Sequence, residues 1–184
     1  MGLLPNQAVQ KSVIATVPDR AGGIARLENI SVFINRGLAW IAAASLLLMV
    51  FVVVVNGVMR VVHAPYPGAS EIVGWLAAVT TAFALGYTQH KRGYVEIDAL
   101  VERLPFYLQK IIKQFMLLTG TAFFALVAWQ SVVYGLKVAN NGNLSETMHI
   151  PFYPLIFLMS LGFVGLTLAL FVDFLKEFNG SGEE

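Results

Sequence analysis

Four long apolar runs cross this chain, at about residues 37–59, 72–89, 114–136 and 150–172, and none holds an Asp, Glu, Lys, Arg or His between its ends. Each is close to the roughly 20 residues that a helix needs to cross a bilayer core of about 30 Å. Helices are the form to expect even for the β-branched residues 50–55, because a lone strand in lipid leaves its backbone groups unpaired. The chain therefore reads as an all-α integral membrane protein with four transmembrane helices. Ion pathways, proton relays and haem sites normally hold an ionisable group inside a span, where it is costly and kept for a purpose. These spans hold none, so the chemistry of pumping is expected elsewhere.

With 184 residues, 57% of them hydrophobic, the runs leave no room for a sizeable soluble domain. We read residues 1–22 as a flexible arm, 23–178 as one four-helix membrane domain and 179–184 as a flexible tail. No secretory signal is expected, since the first run follows a long polar stretch and exceeds the length of a signal-peptide core. The absence of cysteine removes thiol exchange, thiolate metal sites and iron–sulfur ligation. His63, His90 and His149 all fall at run ends, whereas a bis-histidine haem needs imidazoles facing each other at depth. No phosphate-binding glycine loop or catalytic triad spacing is present, so neither an enzyme nor a cofactor is expected.

Charge placement supplies orientation. Ten of the twelve Lys and Arg precede the first run, lie between the second and third, or follow the fourth; the other side has only Arg60 and Lys137. The positive-inside rule then places both termini and the middle loop in the cytoplasm. Topology and anionic lipid account for the basic middle loop, and no nucleic-acid partner is expected.

Leu27, Ile30, Ser31 and Ile34 share a helical spacing, with Arg26, Glu28 and Arg36 left to face water; this predicts a short interfacial helix before the first span. A disordered basic tail is the alternative. A second amphipathic helix is predicted between the second and third spans. There Ile97, Leu100, Val101 and Leu104 fall at i, i+3, i+4 and i+7, and Pro105 ends the pattern. Ile97, Val101 and Leu104 are its expected membrane contacts, with Trp40 and Arg60 as interfacial anchors on the first helix. Asp98 has two readings, a local pair with Lys91 or Arg92 and a contact to a partner.

Ser70 is the expected N-cap of the second helix and Glu71 its first-turn carboxylate, either as a capping charge or as a group pairing with another subunit. Pro151 and Pro154 are expected in the first turns of the fourth helix. The most specific packing signal is Gly74, Ala78, Ala82 and Gly86, a small residue at every fourth position, which permits close backbone approach by a helix of this or another chain. Gly162, Gly165 and Ala169 form a weaker stripe of the same kind.

Across residues 36–174 the order of features resembles the small membrane subunit of tripartite ATP-independent periplasmic (TRAP) transporters, the DctQ-like proteins. The resemblance is carried by Glu71 opening the second helix, the small-residue helix ending in Gly86-Tyr87, and Arg92-Gly93-Tyr94-Val95-Glu96-Ile97-Asp98-Ala99-Leu100 running to Leu104-Pro105. Many members have His where Tyr94 stands. The resemblance implies a bacterial inner-membrane complex in which a periplasmic substrate-binding protein delivers an organic anion to a large, sodium-coupled, elevator-type subunit braced by the small one. Gly74, Ala78, Ala82, Gly86, Glu71, Arg92, Gly93, Asp98 and Leu100 are then the expected partner contacts, with phospholipid around the rest. Two other readings stand beside it: a four-helix anchor or assembly subunit of another membrane complex, and a self-sufficient small transporter that oligomerises.

Overall fold

The computed structural model describes residues 20–91 and 105–179. Four helices make up nearly all of them: α1 (Arg20–Val62), α2 (Ala69–His90), α3 (Phe106–Asn141) and α4 (Tyr153–Phe178). All four are long and apolar enough to cross a membrane. The connections at residues 63–68 and 142–152 lie at one end of the molecule, called here the loop end. The opposite end, where α1 begins and α4 finishes, is the termini end.

The helices exceed the apolar runs that announced them. α1 has 43 residues and α3 has 36, so at about 1.5 Å per residue both are far longer than a core of about 30 Å. The interfacial helix expected before the first span is not a separate element: residues 23–36 continue into α1 without a break. Within it Ser31 departs from the expected stripe and turns inward, the reverse of the pattern of a helix in water. Ser31 and Asn35 are fully buried, whereas Leu27, Ile30 and Ile34 are exposed. Their physical setting explains the reversal, because in lipid the apolar side chains belong outside and the polar ones find partners within.

That inversion runs the length of α1. The buried or half-buried positions include Glu28, Ser31, Asn35, Leu38, Ala42, Ser45, Met49, Val52 and Asn56. Their spacing alternates three and four, the repeat of a left-handed helix seam. The opposite face carries Trp40, Leu47 and Phe51, which are 71%, 72% and 64% exposed.

α4 is the hub and packs along α1, α2 and α3, while α1 also lies along α2; α3 leans on α4 and makes little contact with the other two. The inner cluster sits between α1 and α2 at Ala42, Val79, Ala82 and Phe83, with Leu155 and Met159 of α4 against it. Small side chains make this possible. A Cβ added to Gly162 would stand 2.6 Å from the carbonyl oxygen of Ala82, and one added to Gly165 would stand 2.9 Å from a methyl of Leu38. The stripe on α4 that looked weaker in the sequence therefore packs tightly too, against Ala82 of the α2 stripe.

Helix ends depart from expectation at three places. Gly68, not Ser70, occupies the N-cap of α2, and Ser70 falls in the first turn. Pro154 does open α4, but Pro151 lies before the helix, in a bridge to Leu144. α3 runs on to Asn141 and closes at Gly142 in the left-handed conformation, φ 64°. Gly142 N–H donates to the Ala139 carbonyl and Asn143 N–H to that of Val138, the paired bonds of a Schellman closure.

Candidate functional site

Polar groups gather at the two ends of this bundle and along one seam between them. At the loop end, Glu71 stands in the first turn of α2 and reaches across to the connection between α3 and α4. Its carboxylate accepts hydrogen bonds from Ser145 Oγ at 2.9 Å, Thr147 N–H at 2.8 Å and Met148 N–H at 3.2 Å. All three donors address the ionised form, so the group is a clamp on the connection rather than a simple capping charge. Ser145 N–H donates to the Ile150 carbonyl at 2.9 Å, closing the same loop on itself. Gly68 completes the contact: a Cβ there would meet Met148 Cγ at 2.7 Å. The first connection is tied down as well, with Tyr66 N–H donating to Asn56 Oδ1 at 2.9 Å.

At the termini end, every helix contributes to a layer of polar side chains. Glu28 of α1 pairs with Lys176 of α4. Ser31 Oγ and His90 Nε2 are 2.8 Å apart, joining α1 to α2, and Gln89 Nε2 donates to Asp173 Oδ2 at 2.8 Å, joining α2 to α4. Lys113 of α3 meets Glu177 of α4 at 2.9 Å. Glu28 was expected to face water and instead turns inward to a cation on another helix. The sequence reading missed this layer because its members come from four separate segments and share no local spacing. A late signal was present, namely Asp173, Lys176 and Glu177 directly after the fourth apolar run.

Asn35 joins the layer to the helix seam. Its side-chain amide donates to the Ser31 carbonyl at 3.0 Å and, across to α4, to the Gly165 carbonyl at 3.1 Å. Two carbonyl acceptors on one side fix the amide's orientation. Its Oδ1, buried toward Gly86 and Gly165, has no hydrogen-bond partner among the described residues. A Cβ at Gly86 would collide with that oxygen. Other polar groups in the spans are satisfied close by: Thr80 Oγ1 donates to the Ala42 carbonyl at 3.4 Å, and Thr81, Thr88, Thr121, Ser131 and Thr167 bond carbonyls one turn back in their own helices.

The four-residue stripe on α2 divides. Ala82 and Gly86 are buried against α4 and α1, so that half of the face is filled from within the chain. Ala78 is half-buried, and Gly74 is exposed with nothing within 4 Å of an added Cβ. Arg60 and Trp40 lie exposed on α1. Arg92, Gly93, Asp98, Leu100, Ile97, Val101 and Leu104, and with them the amphipathic helix expected before Pro105, fall outside the described residues, as do residues 1–19 of the arm.

Residues 49–180 match the family model described as tripartite ATP-independent periplasmic transporters, DctQ component. No curated protein and no solved structure matches the chain.

Proposed function

Because the chain belongs to the DctQ component family of tripartite ATP-independent periplasmic transporters, we propose that it is a non-catalytic brace within a sodium-coupled importer of an organic anion. In this reading it sits in a bacterial inner membrane with the termini end in the cytoplasm. It supports the fixed scaffold of a large elevator-type subunit, to which a periplasmic binding protein delivers solute. One observation carries the proposal: the charged side chains in the helix bundle's contacts stand at its two ends and are turned to partners within the bundle, while between those ends the outward faces of α1 and α3 are largely apolar. A brace needs that distribution, an interior locked by its own polar contacts and an outside suited to lipid and to other helices.

The contact with the large subunit is assigned to the part of the α2 stripe that this chain leaves open, Gly74 and Ala78, together with residues 92–100. Glu71 supports it indirectly by holding the loop end in shape. The test is co-purification and sodium-driven uptake in proteoliposomes containing the large subunit and the binding protein, with and without this chain. Uptake that is lost without it, and loss of co-purification in Gly74→Leu, are expected. Equal uptake by the large subunit alone would overturn the brace. Solute uptake by this chain reconstituted alone would favour the self-sufficient transporter instead.

A further inference from the structure

We infer that the crevice between α1 and α2 at the loop end seats one glycerophospholipid, its phosphate on Arg60 and an acyl chain laid along Gly57. The crevice holds about 320 Å³ and is lined by Val53, Asn56, Gly57, Arg60, Ser70 and Val73. Its chemistry is layered. Arg60 and Ser70 stand at the rim, Asn56, Gly57 and Val73 follow one turn deeper, and Val53 lies below them, on faces set by spacings of three and four. That order, cation and hydroxyl above and aliphatic floor beneath, is the profile of an anionic amphiphile at a membrane boundary.

The rim offers donors and no competing acid. Asn56 uses its amide oxygen to accept the Tyr66 N–H, which leaves its NH₂ to donate. Among the described residues no carboxylate forms an ion pair with Arg60. Glu71, the acid nearest in sequence to Ser70, is turned to Ser145, Thr147 and Met148. An arginine with free donors above an apolar slot is matched by a phosphodiester carrying hydrocarbon, whereas a small soluble anion would leave the floor unused. The slot is open at Gly57, where an added Cβ meets nothing within 4 Å and a larger side chain would occupy it.

The inference needs the helices to span a membrane but not the pairing with a large subunit, so either can fail while the other stands. The full chain, purified in detergent and titrated with phosphatidylglycerol, is read by native mass spectrometry. Wild type is expected to retain one lipid per chain. Arg60→Gln and Gly57→Leu should each retain at least fivefold less at equal lipid, with unchanged helical content and thermal midpoint, while Lys137→Gln behaves as wild type. Gly57→Leu removes no charge, so equal retention in that variant would reduce the effect to headgroup attraction and overturn the seat. Undiminished retention in Arg60→Gln, or displacement of the lipid by inorganic phosphate, would overturn it too.

Discussion

Toward α2, α4 turns Gly162, and backbone comes so near backbone that no added atom fits, while Gly165 sits as tightly against Asn35 and Leu38 of α1; toward α3 it turns Leu170 and Phe163, and the helices meet through side chains. On the second face a Cβ on Gly120 would find Leu170 Cδ1 at an ordinary 3.8 Å, and Phe124 stacks on Phe163 with ring centroids 6.4 Å apart. Lipid tails are as apolar as leucine, so association in a membrane rests on dispersion and hydrogen bonds rather than on escape from water. Close approach recruits many weak contacts at once and tolerates no added volume. Side-chain packing can shift to accommodate change. The difference leaves α1, α2 and α4 packed on one another as one unit and α3 attached to α4 along one edge.

The largest expected effect separates these two faces directly. Gly162→Leu has backbone in its way and should cost more than the ~1–3 kcal/mol usual for overpacking, seen as loss of monodisperse protein in detergent. Gly120→Ala should leave the thermal midpoint unchanged. Comparable damage from both would erase the distinction.

Next comes the polar group inside the tight unit. Asn35→Ala removes the donated bond to α4 and should lower stability by about 1 kcal/mol, the scale measured for hydrogen bonds between membrane helices. Asn35→Asp should be clearly worse, because it replaces donors with oxygen facing the carbonyls of Ser31 and Gly165. Thermal unfolding of the two variants in one detergent ranks them. Equal midpoints would mean that the amide's donors contribute nothing.

A smaller, local effect is expected at the loop end. Glu71→Gln keeps the shape but loses the charge that receives three donors, so the amides of Thr147 and Met148 should exchange hydrogen several-fold faster while the helix centres stay protected. Exchange that rises throughout α3 and α4 would show that the clamp holds the helices and not merely their connection. The smallest effect belongs to the attachment of α3 at the termini end. Lys113 is half exposed in its pair with Glu177, so Lys113→Gln should change stability by no more than ~0.5 kcal/mol. A larger drop in thermal midpoint would show that this pair holds α3 to the rest of the bundle.

Much of this architecture was readable in local pattern. Apolar length located all four spanning helices, but α3 runs past its apolar run to Gly142, where a left-handed residue closes a helix most cheaply because it lacks a Cβ. The site was less legible. Glu71 was singled out, but its partners lie more than seventy residues away. Gly74, Ala78, Ala82 and Gly86 looked like one interface and are divided between a closed interior and an open edge. Ser31 was read only as part of an apolar stripe and Asn35 gave no signal, since a short polar residue among apolar ones looks the same in sequence whether it faces lipid or a neighbouring helix.

The sequence by itself determined that this chain has four segments long and apolar enough to span a membrane, about where they lie, and which family it resembles. Those properties depend on length, hydropathy and motif order along one strand of chain. Only the tertiary structure decided that α4 is the hub, that α1 turns Ser31 and Asn35 to its inner seam, and that polar side chains from four segments meet in one layer. Each of these is a relation between surfaces of different helices, and in lipid such pairing is chosen by shape and hydrogen-bond match rather than by apolar pattern.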